Sequence, residues 1–269
     1  MKKRQFIALA LPLAMGLSGL ALAPAAYAAD GNTIIVGADT TFPPFETQVD
    51  GKVTGFDIDM INEIAKAEGL KTEIKVLPFN GIIPSLQAGS IDAAVAGITI
   101  TKDRLKNVDF SDAYYKSGLS VLVKDDSKIA GFGDLTGHVV ATKKATSSVD
   151  YMTEKGFKMD NVKQFQNIDA AYQALMTGGA DAVIFDNPVN LDFANHHKGV
   201  KVVGGLLTGE YYGIAVSKSK PELVGKINAG LAKIKKNGEY QALFKKYFGG
   251  DVNGVVEGVE KPADVAKGD

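Results

Sequence analysis

Apolar positions along the chain follow two rhythms. Short runs of β-branched or small apolar residues predict strands at 33–37, 72–76, 93–96, 119–123, 139–142, 182–184, 200–203 and 212–216. Between them, apolar residues recur every three or four positions, which predicts helices at 57–68, 82–87, 149–155, 169–177, 188–196, 221–236 and 239–247. In the first of these, Ile58, Ile61, Ile64 and Ala65 share one face and Gly69 ends the helix. Strands and helices alternating in this way predict an α/β fold with mostly parallel sheets. Residues 251–269 are polar and glycine-rich with neither rhythm, and are expected to form a loose tail.

One pattern occurs twice. Residues 86–95 and 175–184 each run from a helix end through a glycine cap to an aspartate, Asp92 or Asp181, and then into a buried strand. A pair of lobes built from a similar unit would produce this echo, and so would chance. Polar or aromatic clusters follow four strands: 38–45, 97–104, 143–148 and 185–188. In open α/β sheets ligands bind beyond the carboxyl ends of strands, so these clusters predict a shared cleft.

Composition removes several chemistries. The chain has 269 residues, 45% of them apolar, with Lys+Arg 30 against Asp+Glu 31. That balance excludes a disordered or collagen-like chain and provides no basic excess for nucleic acid. With no cysteine there is no disulfide, thiolate catalysis or Cys-ligated metal, and only three histidines, His138, His196 and His197, are present. The pair His196-His197 is read as a solvated helix end, since adjacent helical residues face different directions.

Lys2-Lys3-Arg4, an almost wholly apolar stretch over 6–23 and the small-x-small site Ala26-Tyr27-Ala28 predict a signal peptide spanning 1–28 and cut after Ala28. Its removal takes three cations and no anions, which moves the net charge from −1 to −4. No cysteine stands at the cut to carry lipid, so the expected location is the periplasm, free of a lipid anchor.

Several blocks carry a family resemblance: Asp39-Thr40-Thr41-Phe42-Pro43-Pro44-Phe45, Gly55-Phe56-Asp57-Ile58-Asp59, Phe79-Asn80-Gly81-Ile82-Ile83-Pro84, Ala96-Gly97-Ile98-Thr99-Ile100-Thr101-Lys102-Asp103-Arg104 and Asp109-Phe110-Ser111. Together they resemble the polar amino-acid solute-binding proteins of ABC importers, family 3, and within it most of all the glutamine binders. The resemblance runs over about 34–248. It implies a type II periplasmic binding protein fold, in which two α/β lobes joined by a two-stranded hinge close over one amino acid. Lobe 1 would be discontinuous, 34–113 plus 213–248, with lobe 2 at 119–207 and crossings near 114–118 and 208–212. Gly118, Gly209 and Gly213 would absorb backbone rotation there.

Site roles also follow from the resemblance. Arg104 would grip the α-carboxylate through a planar fork that lysine cannot reproduce. Ala96, Gly97 and Thr99 would complete the main-chain contacts, and Asp186 would meet the α-ammonium, although an aspartate there could equally cap the following helix. Ser147 would offer a backbone N–H at a helix start, with Thr146 beside it. Phe42 and Phe79 would sandwich the ligand stem, while Asp39 and Lys143 would read a side-chain amide as acceptor and donor. Three positions depart from the glutamine binders: Phe185 replaces a histidine, and Ala145 and Ser147 replace glycines.

The function implied is capture of a polar L-amino acid, glutamine favoured, for the membrane permease of an ABC importer. The protein would act as a monomer, with no cofactor, metal or nucleic acid. Two rivals share the fold, a periplasmic cyclohexadienyl dehydratase and the ligand-sensing component of a receptor. The first needs a general acid aimed at a leaving hydroxyl.

Overall fold

A computed structural model describes residues 32–249 and 251–266. The signal peptide expected over 1–28 lies outside the described residues. From Asn32 onward the chain forms one compact unit. It opens with β1 (Thr33–Ala38) and a small antiparallel flap made of β2 (Thr41–Phe42), β3 (Glu46–Val49) and β4 (Lys52–Thr54). Next come α1 (Phe56–Ala67), β5 (Lys71–Val76), α2 (Phe79–Gln87), β6 (Ala93–Ala94), α3 (Lys102–Asn107) and β7 (Asp109–Phe110). The chain then crosses on β8 (Tyr115–Ser117) into β9 (Leu119–Lys124), β10 (Val140–Lys143), α4 (Ser147–Glu154), β11 (Val162–Phe165) and α5 (Ile168–Met176). After β12 (Ala182–Asp186), α6 (Asn187–His196) and β13 (Val200–Val203), it returns on β14 (Glu210–Tyr212) to β15 (Ala215–Val216). It finishes with α7 (Glu222–Asn237), α8 (Glu239–Phe248) and α9 (Pro262–Val265).

The two larger sheets have the same plan. The first has the order β5-β1-β6-β15-β7 and the second β11-β10-β12-β9-β13. In each, three parallel strands meet one antiparallel strand, β15 or β9, that follows directly on a crossing. The sequence echo falls on equivalent places in this plan. Asp92 accepts from Ile35 N and donates its own N–H to Ile35 O, both at 2.8 Å. Asp181 makes the same pair of 2.8 Å bonds with Val139. The repeated aspartate is thus a clasp tying the entry of β6 or β12 to its parallel neighbour, at Ile35 of β1 or at Val139 just ahead of β10, where unpaired backbone groups would be costly.

Each sheet buries both faces, as parallel sheets must. In β1, Ile34, Val36 and Ala38 point into the core shared with α1, α7 and α8, while Ile35 packs on the opposite side with Ile82 and Leu86 of α2. In the second sheet Leu122, Ala141 and Val183 face α5, and Val121, Val140 and Ala182 face Met152 of α4. Crossing strands β8 and β14 pair antiparallel. The Tyr115 ring lies stacked between Tyr212 and Phe244, with centroids 5.5 Å from each.

Two expectations need correction, the strand at 212–216 and the tail. The stretch 212–216 is two strands, broken at Gly213, because residues 210–212 pair with β8 and 215–216 with β6 and β7. The crossing glycines Gly118, Gly209 and Gly213 all have φ outside the left-handed region. Gly118 also makes room, since a Cβ there would lie 2.1 Å from the Thr208 carbonyl oxygen. Finally, residues 251–266 are docked rather than loose. Gly254 and Glu260 carbonyls accept from Lys116 N and Ala113 N at 2.8 Å, and Val256 and Val265 are buried. A few anchoring valines and backbone bonds suffice here, and neither leaves a periodic trace.

Candidate functional site

The carboxyl ends of β1, β6, β10 and β12 converge on a tight cavity between the two sheets, with a free volume of only about 10 Å³. Its lining is Phe42, Phe79, Ala96, Gly97, Thr99, Arg104, Lys143, Thr146, Ser147, Phe185 and Asp186. These are eleven of the twelve positions singled out from sequence; the twelfth, Asp39, lies directly behind Lys143.

Arg104 reaches the cavity from the short helix α3, which Thr101 caps by accepting Arg104 N at 3.1 Å. Its guanidinium donates from Nη1 to Thr99 O at 2.8 Å and from Nη2 to Ala145 O at 3.1 Å, so one residue from each lobe orients it. The plane sits 5.4 Å from the Phe79 ring centroid. Its remaining N–H groups have no hydrogen-bond partner among the described residues and can meet a carboxylate. Ala145 delivers its carbonyl by adopting a left-handed φ of 60°, a conformation costing a non-glycine residue about 1 kcal/mol. The side chain is exposed, so nothing is lost by removing it. Ala145→Gly is expected to raise the unfolding free energy by about 1 kcal/mol, measured by urea denaturation; unchanged stability counts against the strain.

Gly97 also has a positive φ of 51°. A Cβ there would lie 2.2 Å from the Phe42 ring, so glycine is needed both for conformation and for space. Phe42 meets Phe185 edge-on at 5.7 Å. That contact gives Phe185 an apolar packing role in the place where the glutamine binders have a histidine.

Asp186 ends β12 at the N-cap position of α6, yet its side chain makes no cap bond. It accepts instead from Tyr212 OH, which is itself the acceptor for Ser117 Oγ at 2.8 Å. Burial, followed by the negative charge of Glu210, pushes the Asp186 carboxyl up to about 7. Opposite in sign stands Lys143, almost fully buried, whose ammonium lies 2.7 Å from Asp39 Oδ2 and 3.2 Å from Thr41 Oγ1. Asp39 also accepts from Thr41 N, Thr41 Oγ1 and Phe79 N, at 2.8, 2.7 and 2.9 Å. The sequence assigns Asp39 and Lys143 separate contacts, whereas the structure joins them as an ion pair across the lobes. Thr146 Oγ1 donates to Lys143 O at 2.8 Å and shapes the turn into α4. Ser147 opens that helix with its backbone N–H directed outward from the first turn.

Sequence reasoning passed over three participants. Glu210 is 3% exposed. One of its oxygens accepts from both Thr99 Oγ1 at 2.8 Å and Ser147 Oγ at 2.9 Å, so hydroxyls from both lobes meet on one carboxylate. Tyr212 and Ser117 complete the support of Asp186. Segment 208–212 was treated as a backbone crossing only; the signal available was a single acidic residue among glycines and tyrosines.

Comparison with known proteins follows the same outline. Residues 34–250 match the model of the bacterial extracellular solute-binding proteins, family 3. The chain is 38% identical over 225 residues to the ABC transporter glutamine-binding protein GlnH of Bacillus subtilis, covering 81% of this chain and 82% of that one. It is 35% identical over 247 residues to a probable histidine-binding protein of Neisseria gonorrhoeae, covering 90% and 91%. Among solved structures, an ancestral arginine-binding protein bound to glutamine is 43% identical, with a TM-score of 0.76 over 81% of this chain and 98% of that one. The arginine-, lysine-, histidine-binding protein ArtJ of Geobacillus stearothermophilus is 34% identical, with a TM-score of 0.78 over 81% and 96%. The fold is that of the type II periplasmic binding proteins, and the chain belongs to the bacterial extracellular solute-binding proteins, family 3.

Proposed function

We propose that the protein captures a polar L-amino acid in the periplasm, glutamine by preference, and hands it to the membrane permease of an ABC importer. The observation that carries this is one cavity with a free guanidinium face at Arg104, a carboxylate at Asp186 and a neutralised Asp39–Lys143 pair. An α-amino acid zwitterion matches the first two groups. The ion pair presents the Lys143 ammonium as a donor to the cavity with its charge neutralised from behind by Asp39, which suits an amide carbonyl better than an ionised side chain. Ligand contacts on both sheets would favour the closed arrangement, with β8 and β14 as the bending strands. Phe42, Phe79 and the Gly97 backbone would hold the stem. Binding relatives whose names include glutamine, histidine and arginine support the class and leave the side chain to be tested.

Calorimetric titration of the refolded protein with each polar amino acid is the test, and absence of binding by all of them would sink the proposal. Asp39→Asn should leave Lys143 as an uncompensated cation and shift the glutamine-to-glutamate preference at least tenfold toward glutamate. An unchanged ratio would remove Asp39 and Lys143 from side-chain recognition. A second reading uses the same wall of the cavity: Asp186 lines it, and its buried carboxyl, raised by burial and Glu210, is suited to a general acid. Turnover of prephenate or arogenate would replace the transport proposal with a dehydratase.

A further inference from the structure

Two carboxyl groups lie beneath the cavity and play no part in the ion pairs described above. Glu46, at the start of β3, and Asp57, in the first turn of α1, are both wholly buried. Asp57 Oδ2 accepts from Gly97 N at 3.0 Å and from Tyr114 OH at 2.6 Å. Its Oδ1 and both oxygens of Glu46 have no donor among the described residues. The backbone seats the two residues side by side: Asp57 N donates to the carbonyl of Phe45, the residue before Glu46, at 3.1 Å. Two buried carboxylates facing each other with no donor between them are strongly unfavourable as a pair of anions, so one proton belongs between them.

The surroundings say which group holds it. Asp57 has two donors on Oδ2 and sits in the first turn of a helix, where negative charge is favoured. Glu46 has neither advantage. Burial first, then the Asp57 charge, holds the Glu46 carboxyl well above the usual range; Asp39 adds to this and Lys143 opposes it. Tyr114 is pushed up as well and stays a neutral donor.

We infer that Glu46 and Asp57 share a single proton, donated by Glu46 to Asp57 Oδ1, and that the anionic Asp57 so stabilised positions Gly97 in the cavity wall and Tyr114 at the entrance to the crossing. A charged acceptor holds the Gly97 N–H more firmly than a neutral one would. The pair therefore fixes Gly97, on which Phe42 packs, in its left-handed conformation and ties it to the residue preceding β8. Asp57 belongs to one of the sequence blocks behind the family resemblance, Gly55-Phe56-Asp57, and Glu46 directly follows another, Asp39 to Phe45; the shared proton explains why these two acidic residues stand in otherwise apolar surroundings.

The test is the melting temperature of the full chain between pH 5 and 9, for the wild type, Glu46→Gln and Asp57→Asn. Because Glu46 stays protonated in the fold, the native state holds more protons than the unfolded chain above about pH 4.3, and its contribution to stability declines as pH rises. Glu46→Gln donates to Asp57 at every pH, so its melting temperature should gain on the wild type steadily from pH 5 to 9. Parallel profiles would overturn the shared proton. Positioning rests on the proposed function and is read separately: glutamine affinity should stay within twofold in Glu46→Gln and fall at least tenfold in Asp57→Asn. Wild-type affinity in Asp57→Asn would overturn the positioning role. Should Asp57→Asn not fold, the Glu46→Gln profile still decides the proton. Should no amino acid bind the wild type, the functional proposal fails and the melting profiles stand on their own.

Discussion

Arg104→Ala is expected to weaken amino-acid binding about 10²- to 10³-fold. Removing one member of a desolvated, hydrogen-bonded charge pair costs about 2 to 5 kcal/mol, and each 1.4 kcal/mol is about tenfold. Arg104 earns this weight from its geometry. Two of its N–H groups are already engaged by the Thr99 and Ala145 carbonyls, so the remaining donors are aimed without further loss of rotamer freedom. Arg104→Lys should recover little, because a point charge cannot reproduce a fork held from two sides. The substitution leaves the core intact, since α3 has no buried residue. Calorimetry beside a thermal melt therefore separates lost recognition from lost folding. Binding within threefold of the wild type would remove Arg104 from the carboxylate site.

The second large effect is on pH. With burial and Glu210 raising the Asp186 carboxyl to about 7, this group is neutral at lower pH, and a ligand ammonium has to displace its proton. Affinity should therefore fall about tenfold for each unit below pH 7 and level off above it. Between pH 7 and 5 the dissociation constant should rise about 10²-fold. Asp186→Asn keeps an acceptor for Tyr212 OH and removes the titrating charge, so it should bind weakly at all pH values and lose this slope. A wild-type affinity flat from pH 5 to 8, or a slope surviving in Asp186→Asn, would assign the ammonium contact to another group.

Much of this architecture is legible because two physical rhythms are strong. Runs such as Leu119-Ser120-Val121-Leu122-Val123 form a strand buried on both faces, and α1 keeps its apolar stripe from Ile58 to Ala65. The cavity residues stand out because they follow strand ends. What escapes notice depends on partners distant in sequence. Glu210 gains its meaning only when Thr99 and Ser147 are brought to it from 111 and 63 residues away. The left-handed turn at Ala145 has no glycine to announce it. The flap is hidden for another reason: β3 and β4 join through Asp50-Gly51, with φ of 49° and 76°, a turn signal that lies beside the polar and aromatic cluster at 38–45. Residues 251–266 escaped because their attachment is mainly through backbone carbonyls.

The matching sheets are not equal in one respect. All five strands of the second sheet, β9 to β13, come from 119–203, so its pairing closes within a single stretch of chain. The first sheet is assembled from strands as far apart as Thr33 and Val216, and β7 has its only sheet neighbour in β15. For a chain emerging amino end first, the earlier-made half stays unfinished until the later-made half has been built and the return crossing completed. Order of synthesis and order of completion are thus reversed between the two halves, and the long-range pairing that imposes this is the slowest kind to form.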